Sequence, residues 1–238
     1  MNKVKTVLLK ISGEALEDKK NNELYNENVL NKLLDVLCKL HKSGVRLGIV
    51  VGGGNIYRGK ESYKIGLDNS KGDYMGMIAT VMNGLALKGL FEKNGVKAEI
   101  LSSIQVSKCT KEFTVDKANK YLNDNRVVIF TGGIGHPFFT TDTCAALRAK
   151  EINADILLMA KNGVDGVYTD DPNLVKDAKF LDKITYSEII NKGLKVIDST
   201  AASLLLNTKI KSYIFNIDNP NNILKIVEGN KVGTLLTD

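Results

Sequence analysis

Four short segments of this 238-residue chain combine glycine, hydroxyl and cationic residues in patterns suited to holding anions. The first is Leu8-Leu9-Lys10-Ile11-Ser12-Gly13-Glu14. A lysine at the end of an apolar run, followed by Ser-Gly, can aim an ammonium and free backbone N–H groups at a phosphate. Read alone, it is more often a surface lysine beside a turn. The second is Val50-Val51-Gly52-Gly53-Gly54-Asn55-Ile56-Tyr57-Arg58-Gly59. Consecutive glycines let backbone amides approach an anion without Cβ obstruction, and Arg58 adds charge. Gly54 to Lys60 also fits the GxxxxGK portion of a P-loop, but Glu61 stands where a Ser/Thr hydroxyl should follow, which excludes that motif. The third is Gly132-Gly133-Ile134-Gly135-His136-Pro137-Phe138-Phe139-Thr140-Thr141-Asp142. Glycines and two hydroxyls lead into a helix with Asp142 as its N-cap candidate, a helix start dressed for an anion. The plain alternative is a capped helix with Phe138 and Phe139 in the core, and His136 reads as a loop residue rather than an acid or base. The fourth runs from Lys161-Asn162-Gly163 to Tyr168-Thr169-Asp170-Asp171-Pro172. Its ring and carboxylate would suit a base and a ribose, although acidic loops with a tyrosine are as common in bare turns. Asp73, in Gly72-Asp73-Tyr74-Met75-Gly76-Met77, reads by default as an N-cap, and Met77 and Met82 as core.

The surrounding sequence supplies a frame for these segments. Runs with strand character occupy Thr6–Lys10, Arg46–Val51, Lys97–Leu101, Arg126–Thr131, Asp155–Met159 and Ser212–Asn216. Between them lie helical patterns. Val29, Leu33, Val36, Leu37 and Leu40 recur at three- and four-residue steps before Gly44 stops the first helix. Further helices are expected over about Gly76–Lys93, Val115–Leu122, Thr143–Asn153, Tyr186–Asn191, Ser199–Lys209 and Asn221–Glu228. This alternation argues for an α/β fold with a mostly parallel sheet covered on both faces. The run Val127-Val128-Ile129-Phe130, apolar at every residue, suits a strand buried on both sides. In such sheets ligands bind beyond the carboxyl ends of the strands, where the four segments fall. Together they describe two anion pockets facing each other, and hence transfer of a phosphoryl group between two phosphorylated or carboxylated ligands. The prolines, Pro137, Pro172 and Pro220, sit in apparent loops, and no linker or internal repeat divides the chain. If there are two lobes, their soft boundary falls near Asn153–Asp155.

Composition narrows the classes further. Hydrophobic residues at 43% and charged residues at 25% exclude disorder, collagen and coiled coil. No unbroken apolar run approaches the ~20 residues of a bilayer span. Lys10 cuts the N-terminal run short of the roughly 7–15 residues of a signal peptide, so a cytoplasmic protein without a membrane is expected. Cys38, Cys109 and Cys144 are scattered outside any CxxC spacing and read as reduced thiols. His41 and His136 alone make no zinc cluster. The net charge of +6 is spread among Asp and Glu, which suits polyanionic small molecules better than nucleic acid.

Lys10–Leu16, Val51–Gly59, Gly72–Ala86, Gly135–Asp142 and Val164–Pro172 resemble, in order and spacing, the bacterial uridylate kinases of the amino-acid-kinase superfamily. Gly72–Ala86 and Pro137–Asp142 carry the uridylate-kinase character; Lys10 and the glycine triplet occur across the superfamily. The resemblance implies a three-layer αβα sandwich around a mainly parallel sheet, a homohexamer, and transfer of the ATP γ-phosphoryl group to UMP with Mg²⁺, on the route to UTP and CTP. By motif position it places Lys10, Ile11, Ser12, Gly13, Gly54, Arg58, Asn162, Tyr168 and Asp171 at ATP. It places Gly53, Asp73, Ile134, Gly135, His136, Pro137, Phe138, Phe139, Thr140 and Thr141 at UMP. Lys10, Arg58 and Asp198 would be catalytic, Asp198 by orienting Lys10; no protein metal ligand is expected. Residues 1–153 would form the acceptor lobe and 154–238 the ATP lobe of one domain. Glu17–Glu23 departs from the glycine-rich stretch that many members carry, which leaves GTP activation open. The competing readings are a superfamily kinase of a carboxylate such as aspartate or N-acetylglutamate, against which Gly72–Met77 and Thr140–Asp142 argue, and a nucleic-acid-binding regulator. A dehydrogenase is disfavoured by the lack of GxGxxG.

Overall fold

The computed structural model describes residues 4–58, 62, 64–170, 174–175, 177–194 and 196–238. Its frame is a nine-stranded sheet of order β4-β3-β5-β2-β1-β6-β10-β11-β9. In chain order the strands are β1 (Thr6–Ile11), β2 (Arg46–Val51), β3 (Ala98–Ser102), β4 (Lys111–Glu112), β5 (Val127–Thr131), β6 (Ile156–Lys161), β9 (Lys183–Thr185), β10 (Lys211–Asn216) and β11 (Thr234–Thr237). Every neighbouring pair is parallel except β10–β11. A separate hairpin joins β7 (Val167–Tyr168) and β8 (Phe180–Leu181). The helices are α1 (Glu27–Lys42), α2 (Asn69–Lys93), α3 (Val115–Asn123), α4 (Thr141–Glu151), α5 (Tyr186–Lys192), α6 (Ser199–Leu205) and α7 (Asn222–Val227).

The pleat divides the core in two. Val7, Leu9 and Ile11 of β1 pack with apolar residues of α1, α2 and α7, whereas Leu8 packs with those of α3 to α6. The expected αβα sandwich follows from this alternation, since each central strand must be apolar on both faces. Lys10 shares the parity of Leu8 and so points to the α4 side, at the carboxyl end of its strand.

The sequence and structure part at several elements. Helix α2 begins at Asn69, not near Gly76, because Asp68 caps it by accepting from Lys71 N at 2.9 Å. Asp73 therefore sits inside the helix and caps nothing. By length and composition α2 could span a bilayer, yet Gly84, Leu87 and Phe91 are buried in the fold. On its outer side Tyr74, Met75, Ile78, Met82 and Leu85 are exposed, so Met77 is core but Met82 is not. Helix α4 starts earlier than expected because Thr140, rather than Asp142, is the N-cap; its hydroxyl accepts from Asp142 N and Thr143 N. Phe138 and Phe139 are 73% and 49% exposed, which overturns their reading as core. Phe138 also holds φ at +71°, a conformation a bulky residue adopts only when its surroundings impose it.

Candidate active site

Strands β5, β2, β1 and β6 are consecutive neighbours in the sheet, and their carboxyl ends carry the four segments singled out above. The glycine segment after β2 lies against the turn after β1. Gly52 N donates to the Ile11 carbonyl at 2.9 Å. A Cβ on Gly13 would stand 2.6 Å from Gly54 N, and one on Gly53 would stand 2.8 Å from both the Gly76 carbonyl and Ala79 Cβ. These contacts, tighter than any real Cβ makes, explain why both positions are glycine. Buried Asn83 of α2 ties the segment down, donating to the Gly52 carbonyl at 2.7 Å and to Asn55 Oδ1 at 2.8 Å, and accepting from Tyr25 OH at 3.1 Å.

Lys10 is 7% exposed, and its ammonium reaches Asp142 Oδ1 at 2.8 Å. Lys161, at the end of β6, reaches Asp142 Oδ2 at 3.5 Å. One carboxylate in the first turn of α4 thus lies between two ammonium groups from adjacent strands. Burial pushes the Asp142 carboxyl up, but the fields and hydrogen bonds of Lys10 and Lys161 prevail and hold it below the usual carboxylate value. Burial lowers the Lys161 ammonium; Asp142 opposes that, while Lys10 reinforces it.

Asp198, the expected partner of Lys10, makes its contacts elsewhere. Asp198 accepts from the hydroxyls of Thr140 and Thr143 and from Ala201 N, capping α6 while clamping the start of α4. It acts on the segment beside Lys10, and Asp142 holds the ammonium. In the sequence, Thr-Thr-Asp offers several capping residues, and nothing local shows which side chain turns toward β1.

The remaining expected residues fall as follows. Ile11 is wholly buried beneath the β1 turn. Ser12 Oγ donates to Asn162 Oδ1 at 3.3 Å, bridging the ends of β1 and β6. Arg58 is half exposed; its Nε donates to the Gly54 carbonyl at 3.2 Å and its Nη2 lies 3.3 Å from Glu14 and 3.7 Å from Glu17. Asp73 Oδ2 accepts from Phe138 N at 2.7 Å, fixing the Phe138 backbone. Tyr168 sits in the β7–β8 hairpin edge-on to Phe180, centroids 5.4 Å apart. Asp171 lies outside the described residues.

Two cavities flank the first turn of α4. One, of about 480 Å³, is lined by Gly53, Gly54, Arg58, Asp73, Ile134, His136, Phe139, Thr140 and Thr141, together with Tyr57, Thr80, Phe130 and Cys144. Of the residues expected at the acceptor, only Gly135, Pro137 and Phe138 are outside that lining. Burial pushes the Cys144 thiol up to about 11, so it faces the cavity as a neutral wall and not as a nucleophile. The other cavity, of about 390 Å³, is lined by Asp142, Lys161, Asp198, Ser199 and apolar residues of 189–197. Thr140 and Thr141 face the first, Asp142 the second. Such an arrangement can hold an anionic ligand on either side of Asp142. Lys10 lines neither cavity and meets them through Asp142. Gly54 and Arg58 line the first, and none of the described residues expected at ATP lines the second.

Comparison with known proteins agrees with this geometry. Residues 5–216 match the amino acid kinase family. Uridylate kinase of Limosilactobacillus reuteri (strain DSM 20016) is 46% identical over 234 residues, covering 98% of this chain and 97% of that protein. The crystal structure of UMP kinase from Bacillus anthracis superposes with a TM-score of 0.94 at 36% identity, over 99% of this chain and 96% of the other. UMP kinase from Ureaplasma parvum gives 0.92 at 37% identity, over 99% of both chains. The chain therefore belongs to the amino acid kinase family and, within it, groups with the uridylate kinases.

Proposed function

We infer that the protein transfers the γ-phosphoryl group of ATP to UMP, giving UDP and ADP. The observation that carries this is the Lys10–Asp142–Lys161 arrangement at the first turn of α4, with a cavity on either side. The larger cavity takes UMP and the smaller lies on the ATP side. Its larger cavity draws only on residues before 153, and the smaller one mainly on residues after 154, which supports an acceptor lobe and an ATP lobe within one domain.

UMP brings a phosphate whose second pKa is about 6, so it is already largely ionised at neutral pH and needs no general base. The barrier is electrostatic, since two polyanions must align. Lys10 has three N–H donors; one holds Asp142, which leaves donors for the transferring group. Gly53, Gly54 and Arg58 line the acceptor cavity, so Gly54 and Arg58 serve the acceptor side rather than the ATP side expected of them, and Lys161 lines the other cavity. Catalysis is then positioning and charge neutralisation.

Mg²⁺ is expected to arrive with ATP. Asp142 is engaged by two lysines, and Asp198 by two hydroxyls and a helix cap. Among the described residues no group of three or more His, Cys, Asp and Glu side chains gathers into a cage. That suits a cation ligated mainly by phosphate oxygens and water. Bound there, it neutralises charge on the phosphates.

The exposed stripe of Tyr74, Met75, Ile78, Met82 and Leu85 on α2 supports self-association, which we assign as a cytoplasmic homohexamer. A coupled ADP-release assay with UMP, CMP, dUMP, aspartate and N-acetylglutamate tests the reaction. UMP should turn over fastest; a carboxylate substrate outpacing every nucleotide would replace this reading by the amino-acid alternative.

A further inference from the structure

Arg148 lies in the last turn of α4 and is 3% exposed. A charge withdrawn that far from water needs compensation. Glu151, one turn on, supplies part of it through Arg148 Nη1. An i,i+3 pair of this kind can sit at a helix surface; here the guanidinium runs inward instead. Its Cζ stands 3.6 Å from the centroid of the Phe113 ring. Phe113 in turn meets Phe130 edge-on at 5.8 Å, and Phe130 lines the larger cavity.

The other terminal nitrogen, Nη2, donates to Ser103 Oγ at 2.9 Å. Ser103 Oγ also lies 2.9 Å from the Gly133 carbonyl oxygen. Donor chemistry fixes the direction of this pair of bonds. A guanidinium has no acceptor, so the serine hydroxyl must accept from it and commit its single proton to Gly133. Gly133 belongs to a segment with little stiffness of its own: Gly132, Gly133 and Gly135 hold φ at +73°, +55° and +88°, a conformation glycine enters and leaves freely. On the α2 side the segment is held by Gly132 N, which donates to Thr80 Oγ1 at 2.7 Å. The Arg148–Ser103 relay holds it from the α4 side, and Gly133 and Ile134 form a wall of the cavity.

We propose that Arg148, acting through Ser103, is a positioning residue for the acceptor nucleotide: the Arg148–Ser103–Gly133 relay sets the glycine loop that walls the acceptor cavity. This rests on the assignment of that cavity to UMP. Neither side chain touches the reacting atoms, so the relay governs acceptor binding and leaves phosphoryl transfer and ATP binding unaltered. A residue that only packs the core would lower stability without separating the two substrates.

The test compares the full-length wild type with Ser103→Ala, Arg148→Lys and the double variant, in steady-state kinetics and in calorimetric titration of UMP. Ser103→Ala removes only a hydroxyl and guards against misfolding of the arginine variant. Each single variant should raise KM for UMP about three- to tenfold, the worth of one net hydrogen bond. KM for ATP and kcat should stay within about twofold on the same reasoning. In the double variant the rise should not exceed that of the larger single, as for members of one network. If the wild type binds and phosphorylates UMP but the variants keep its KM, or lose affinity for both substrates alike, the relay is overturned alone. If the wild type binds no UMP, the acceptor assignment falls, and the inference with it.

Discussion

Replacing Asp142 by asparagine keeps the size of the side chain and removes the charge between Lys10 and Lys161. The carboxylate is 14% exposed, with ammonium groups at 2.8 and 3.5 Å; the side chains of Lys10 and Lys161 are 8% and 30% exposed. At an effective dielectric of about 20, each contact is worth roughly 5 kcal/mol of gross attraction. Desolvation offsets much of that, and breaking a buried pair costs about 3–5 kcal/mol. Lys161 is wet enough for its share to be screened, so about 3 kcal/mol is expected, which in a domain of this size lowers Tm by roughly 6–12 °C. Saturating ATP should restore part of the loss, because its phosphates replace the missing negative charge, and the variant should gain more from ATP than the wild type. Its kcat should fall by about 10²–10³, the usual cost of losing an oriented donor. The pH dependence follows from linkage. Burial opposes ionisation of Asp142, yet the two lysines hold its folded pKa below the ordinary 3.8. Its stabilisation is therefore complete at neutral pH and is lost as pH falls below that value toward the folded pKa. Thermal melts with and without ATP, with coupled-assay kinetics, measure all of this. A Tm within about 2 °C of wild type and a kcat within about threefold would refute the reasoning.

Lys10→Ala should keep the fold, since Lys161 still faces Asp142, while kcat drops by about 10²–10³; circular dichroism and turnover check the two halves separately. Asp73→Ala removes the acceptor for Phe138 N and should raise KM for UMP with little change for ATP; equal KM values in variant and wild type would remove Asp73 from the acceptor site. Gly53→Ala drives a Cβ to 2.8 Å from the Gly76 carbonyl and Ala79. It should cost about 1–3 kcal/mol, seen as a Tm lowered by roughly 2–12 °C. Lys161 has its pKa lowered from 10.5, by burial first and despite Asp142, so it sheds its proton at a lower pH than a free lysine. The alkaline limb of kcat/KM for ATP should fall below pH 10.5, and Lys161→Arg should move it upward.

The frame was legible because its strands are apolar on both faces and its helices repeat at three and four residues. The central strands and most helices consequently fall within a few residues of expectation. β4, β7, β8, β9 and β11 escaped because strands of two to four residues carry too little pattern. The start of α2 escaped because Gly72 and Gly76 interrupt the helical signal, while the cap that sets it, Asp68, lies outside the recognised motif. At the site, glycines announce themselves, since a strand followed by Gly52–Gly54 has few purposes other than close approach. Pairings do not. Asp142 facing Lys10, Asp198 holding Thr140, and Arg148 reaching Ser103 each join residues more than 40 positions apart. Their side-chain directions depend on which face of a helix meets the sheet, and only the assembled fold decides that.

In the proposed reaction two nucleotides lie end to end across the Lys10–Asp142 pair. A single ligand carrying adenosine and uridine joined by a polyphosphate chain tests it most directly, by competition kinetics against each substrate. Competitive inhibition against both ATP and UMP is expected, with affinity lost in Lys10→Ala. Inhibition competitive with one substrate only, and unchanged in that variant, would contradict it.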